Sequence, residues 1–258
     1  MKERWKRRLL TALTCVLLLL AVLTTVNFIP TWGLKTSGMN TLNGRYVTVY
    51  YEKEIAAAKD VFALADSKAP ELEKKLGLSQ NKDVTIYIYD HQSTMQTKKY
   101  GYIAPLLRLG WYIGDNMGTR VILTSPANPG KVHTYDDNKE AVLHEMVHAY
   151  VSILNPHIHL WLTEGMALYM SNGEPFYRAY LKDHTLPSCS DLQTRNPIRF
   201  SDMGGYQLAP TYIQFINDKY GWDKVLQLMK TEDYQKTFGK SDNKIYSEWI
   251  EYLKNYYQ

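Results

Sequence analysis

Residues 138–154 decide the fold: Asn138-Lys139-Glu140-Ala141-Val142-Leu143-His144-Glu145-Met146-Val147-His148-Ala149-Tyr150-Val151-Ser152-Ile153-Leu154. Val142, Met146, Ala149, Tyr150 and Ile153 recur at the helical period and predict an amphipathic helix packed along one stripe. Asp137 followed by Glu140 has the look of a capping box at its start. His144 and His148 then stand one turn apart on one face, so both imidazoles can reach a single tetrahedral metal ion. Glu145 lies about 100° further round, close enough to a metal-bound water to take its proton. Burying two histidines and a glutamate without partners costs several kcal/mol, which weighs against the alternative of an idle polar face.

A zinc hydrolase needs a third protein ligand and one open position. Val151 and Leu154 stand where the extended pattern HExxHxxGxxH would require Gly and His, so that arrangement is excluded. His157 and His159, flanking Pro156, are one source of a third ligand. Glu164 is the better one, within Trp161-Leu162-Thr163-Glu164-Gly165-Met166-Ala167-Leu168-Tyr169. There a carboxylate opens the next helix beside a glycine that permits close helix approach, and the turn at Asn155-Pro156 folds that helix back on the first.

In these two motifs the chain resembles the gluzincin branch of HExxH metallopeptidases, in particular the short bacterial peptidase MA-like domains that pair HExxH with a downstream W-L-x-E-G-x-A. The likeness spans roughly residues 114–221. It implies an α+β, zincin-like metallopeptidase domain: a small N-terminal mixed sheet, an active-site helix and a mostly helical C-terminal part. It further implies that His144, His148 and Glu164 ligate one Zn2+ per chain and that Glu145 is general base and proton shuttle. The reaction would be hydrolysis of a peptide or protein substrate by a zinc-activated water. Tyr206, ahead of a helix expected over Pro210–Tyr220, would match the family's tyrosine that donates to the oxyanion. A packing role is the other reading of one tyrosine among 21.

Two departures accompany the resemblance. Only fifteen residues separate His148 from Glu164, fewer than in the larger gluzincins, and Leu168 stands where thermolysin has an acid. The outer partner of a zinc histidine is therefore unassigned. No equivalent of the aminopeptidases' GxMEN strand motif is recognisable, which favours internal cleavage. A competing function is a non-catalytic, membrane-tethered binding or scaffold protein that keeps the zincin fold. Against it, a purely structural zinc site is usually closed by four protein ligands and has no use for Glu145.

Working outward, Arg45–Tyr51, Val84–Tyr89 and Arg120–Thr124 read as strands, the last as either a substrate-pairing sheet edge or an interior strand. Glu52–Leu76 reads as a helix that Pro70 should break, and residues 101–118, with four glycines, as a loop or hairpin. Strands first and helices afterwards give an α+β class.

From Leu9 to Ile29 no side chain is charged, and about 21 residues at ~1.5 Å each span a bilayer's hydrocarbon core. Lys2, Arg4, Lys6, Arg7 and Arg8 precede this run, so its N-terminus is expected in the cytoplasm and the rest outside the cell membrane. A signal peptide would end in a small-residue cleavage site, but Thr24-Thr25-Val26-Asn27 offers none. The expected layout is a basic flank and signal anchor over 1–30, a tether over 31–44 and the peptidase domain over 45–258. Those five basic residues and Glu3 hold the whole surplus of +4, leaving 25 basic and 25 acidic residues afterwards. A charge-balanced domain is not a nucleic-acid binder. Cys189 alone follows the apolar run, so no intrachain disulfide forms there.

Overall fold

The computed structural model describes residues 2–79, 84–171, 176 and 179–257. Helix α1 (Lys2–Phe28) is long and apolar enough to cross a membrane, and its leucines and valines are exposed. A short 3-10 turn (Ile29–Trp32) follows it. Then come β1 (Asn40–Asn43), β2 (Val47–Tyr51), α2 (Ile55–Lys75), β3 (Val84–Tyr89), α3 (Gln92–Tyr100), a 3-10 segment (Gly101–Leu107), β4 (Gly114–Met117) and β5 (Arg120–Thr124). The remainder is helical: α4 (Tyr135–Leu154), α5 (Leu160–Met170), α6 (Tyr180–Asp183), α7 (Pro197–Asp202), α8 (Gly205–Tyr220), α9 (Trp222–Thr231), α10 (Tyr234–Phe238) and α11 (Asp242–Tyr256). The class is mixed α+β, as the order of strand and helix patterns predicts.

The five strands run β1-β2-β3-β5-β4, with β2, β3 and β5 parallel and the two outer strands antiparallel. Alternation along the strands sends Val47, Val49, Ile86, Ile88, Val121 and Leu123 to a core shared with α2 and α4. The opposite face carries Tyr87, Tyr89 and Ile122, covered by Leu34 and Met95. Tyr89 donates its hydroxyl to the Leu34 carbonyl at 2.6 Å, which pins the chain leaving α1 onto the sheet. Residues 40–43, inside the stretch expected as a tether, pair with β2.

Three local expectations are corrected, and for β5 one of two open alternatives is decided. α2 continues through Pro70, because Ala65, Ala69 and Leu72 are buried against the sheet, and that packing outweighs the roughly 3 kcal/mol proline penalty. The box that starts α4 lies one turn earlier: Thr134 Oγ1 accepts from Asp137 N, and Asp137 Oδ2 accepts from Thr134 N. β5 is interior, and the edges are β4 beside it and β1 on the far side. α8 begins at Gly205 rather than Pro210, which puts Tyr206 inside its first turn.

Trp161 explains why α5 sits where it does. Its ring is buried among Phe200, Tyr212 and Trp249, with centroids 5.6–6.5 Å away. Gly165, one turn on, faces α8 so closely that a β-carbon would lie 2.7 Å from the Ala209 carbonyl oxygen. The close approach the sequence suggested is thus between α5 and α8.

Candidate metal centre

The turn after α4 folds α5 back along it and brings Glu164 over the face that carries His144 and His148. The two Nε2 atoms lie 3.0 Å apart, and each is 3.5 Å from one oxygen of the Glu164 carboxylate. Three donors on a tetrahedral zinc at ~2.0–2.1 Å would sit roughly 3.3 Å from one another, so the triangle fits that ion. Among the described residues Glu164 Oε2 is buried without a hydrogen bond, His144 Nε2 being its neighbour at 3.5 Å, a costly state for a carboxylate that a cation would relieve. His148 bonds Thr163 Oγ1 through Nδ1 at 2.8 Å. The tautomer that donates this proton leaves its Nε2 lone pair turned into the group. Burial alone would raise the Glu164 pKa, but His148 and His144 outweigh it and hold the carboxyl well below its usual range.

Glu145 projects from the same helix and is buried against β4. A β-carbon on Gly114 would come within 3.0 Å of Glu145 Oε1 and 3.1 Å of its Cγ. The absence of a side chain there is what lets the carboxylate lie against the edge strand. Burial pushes Glu145 up to about 8; His144 and Lys99 oppose the rise, while Asp115 and Glu164 add to it. A bound dication would pull it back toward the carboxylate range. Asp115, the next residue of β4, is held by Lys99 Nζ at 2.8 Å and by the Tyr112 hydroxyl.

Tyr206 stands beside this group. Its ring meets Phe200 edge-on at 5.0 Å, and its hydroxyl makes no hydrogen bond among the described residues. Burial raises its pKa, and the charges of Glu164 and then Glu145 raise it further, so the phenol lies in the field of both carboxylates.

The remaining histidines stay apart. His159 precedes α5 and bonds Glu232 through Nδ1 at 2.8 Å, and the His157 carbonyl accepts from Arg195. His91 precedes α3, His133 bonds the Trp111 carbonyl, and His184 stacks on Tyr180. Sequence reasoning missed Thr163, Asp115, Lys99, Tyr112 and Gly114. Thr163 carried one signal, its place directly before Glu164.

No protein-family model and no curated protein matches the chain. Among solved structures it is similar to an M1 zinc metallopeptidase from Deinococcus radiodurans, solved with a Tyr-Ser-Ala substrate. Identity is 11% and the TM-score 0.45, over 82% of this chain and 51% of that one. The chain therefore spans about half the length of that structure. What stands on the chain's own geometry is a mixed α+β protein with a His-His-Glu group able to hold a metal.

Proposed function

We propose that the chain is a membrane-anchored, extracytoplasmic zinc peptidase of zincin-like fold, with His144, His148 and Glu164 as ligands. The observation that carries this reading is the buried Glu164 carboxylate, its unbonded Oε2 facing His144 Nε2 and its Oε1 facing His148 Nε2, with a second buried glutamate alongside. Zinc held there would supply Lewis acidity and lower the pKa of a bound water toward about 7.

Glu145 would take a proton from the attacking water and return it to the leaving amide nitrogen. A glutamate held beside that water, able to accept a proton and then give it up, suits both halves of that task. The Tyr206 hydroxyl, without a hydrogen bond among the described residues, would donate to the oxyanion as charge develops. Beside Gly114 the outer edge of β4 would offer main-chain groups to an extended peptide, the Asn116 amide and carbonyl being taken by Asp115 and Lys99. Endopeptidase action is favoured because Asp115 is already paired with Lys99. Among the described residues that leaves no spare carboxylate beside Glu145 for a terminal ammonium. In this layout residues 9–29 cross the membrane with the basic flank inside, and 45–258 form the peptidase domain.

The test is Glu145→Gln in the full chain. It should keep close to one zinc per chain by elemental analysis and lose cleavage of mixed peptides by ~100-fold or more. Full activity in that variant would sink the assignment. Inactivity of the wild-type chain at full zinc load would favour the binding or scaffold role.

A further inference from the structure

The end of α1 does not swing free of the domain. Asn27 Nδ2 donates to the Tyr100 carbonyl at 3.2 Å, and the Ile103 amide donates to Asn27 Oδ1 at 2.8 Å. Lys98 Nζ reaches the Gly33 carbonyl at 2.6 Å. The 3-10 segment 101–107 is therefore held beside the exit of the apolar helix. Among the described residues it also carries, with Trp111, the densest run of exposed large apolar side chains outside α1. Leu106 is 77% exposed, Tyr102 61% and Trp111 55%, with Ile103 and Leu107 also open, and Trp32 at the helix exit is 70% exposed. Large apolar and aromatic side chains grouped in this way mark an interaction surface rather than ordinary solvent exposure.

Charge narrows the partner. From His91 to Gly114 the chain has no acid; Lys99 is taken up by Asp115, which leaves Lys98 and Arg108 as the basic groups of the segment. Tryptophan and tyrosine mixed with leucine and cationic side chains are the chemistry of the bilayer interface, where rings sit at headgroup level and basic groups meet anionic lipid. Two bonds fix this segment to the residue at which a spanning α1 would leave the membrane.

We propose that the segment from Tyr102 to Trp111 is a second membrane contact, inserted into the outer-leaflet interface of the bilayer that α1 crosses. It makes the domain lie on the membrane at two points instead of hanging from one. The proposal rests on α1 being a membrane span and is independent of the peptidase chemistry.

The test uses the full chain reconstituted in vesicles of phosphatidylethanolamine and phosphatidylglycerol, with Cys15 and Cys189 replaced by serine. Nitroxide labels are placed singly through Leu106→Cys, Trp111→Cys, Leu18→Cys and, as an aqueous reference, Lys254→Cys on α11. Collisional relaxation by oxygen, which partitions into lipid, is compared with that by a water-soluble nickel chelate. The expected result is a several-fold higher oxygen-to-nickel ratio at positions 106 and 111 than at 254, and a higher one still at 18. Positions 106 and 111 as aqueous as 254, with 18 in lipid, would overturn the second contact and leave the anchor standing. An aqueous position 18 would overturn both. Shielding of 106 from both reagents, with spin–spin broadening that fades on dilution with unlabelled chain, would make the patch a contact between copies and overturn the proposal.

Discussion

Thr163 stands one residue before Glu164, yet its hydroxyl serves the other helix by bonding His148 Nδ1. A bond of this kind fixes the tautomer and orientation of an imidazole ligand, and its loss commonly costs 10- to 100-fold in metal affinity. Thr163→Val should weaken zinc binding by about that factor in a competition titration with a chelator, and Thr163→Ser should restore most of it. Equal affinity in the valine variant would deny the threonine this role. His144, His148 and Glu145 were legible because helical spacing alone puts them on neighbouring faces. Thr163 was not, because its partner is set by how α5 lies across α4, and no local pattern encodes that crossing. The same holds for Asp115 and Lys99, which meet only when β4 and α3 come together.

At the scale of elements, the contact between α5 and α8 controls where Glu164 sits. Gly165→Ala would place a β-carbon 2.7 Å from the Ala209 carbonyl, a backbone atom that cannot rotate away. Overpacking of this kind costs typically 1–3 kcal/mol. The variant should lose several degrees of Tm in a thermal scan and also bind less zinc, because pushing α5 away lifts Glu164 from the histidines. Unchanged Tm would show that the helices have slack. The long apolar helices and the β-branched strands were readable from periodicity. β4 was not, because Gly114-Asp115-Asn116-Met117 has neither alternation nor β-branched residues, and only pairing with β5 makes it a strand. The start of α8 was misplaced for a related reason. Pro210 favours the first turn of a helix, but packing of α8 on α5 and α7 extends it back to Gly205.

Across the whole molecule the C-terminal helices are clamped by one buried acid. Glu248 on α11 accepts from Lys219 at 2.8 Å, Lys240 at 2.9 Å and the Tyr220 hydroxyl. Burial would raise its pKa, but these donors lower it from 4.5 to about 2. Because the folded-state value lies below the unfolded one, the stabilisation is complete above about pH 4.5 and fades as pH falls toward 2. The drop corresponds to roughly 3 kcal/mol, and screening of the partly exposed lysines reduces it to about 1–2 kcal/mol. Glu248→Gln should lower Tm by a few degrees at pH 7, and the gap should close as the scans are moved to acid. A gap that persists undiminished at pH 2 would assign the effect to packing instead.

The two hydrogen bonds that Asn27 makes on either side of Gly101 bear on any soluble version of this protein. A chain cut after residue 28 is not the same domain set loose in water. It lacks the plug that lies against Gly101 and holds the Tyr100 carbonyl and the Ile103 amide in place. Truncation is therefore a substitution in its own right, and any property measured on the trimmed and the intact chain belongs to two differently braced proteins.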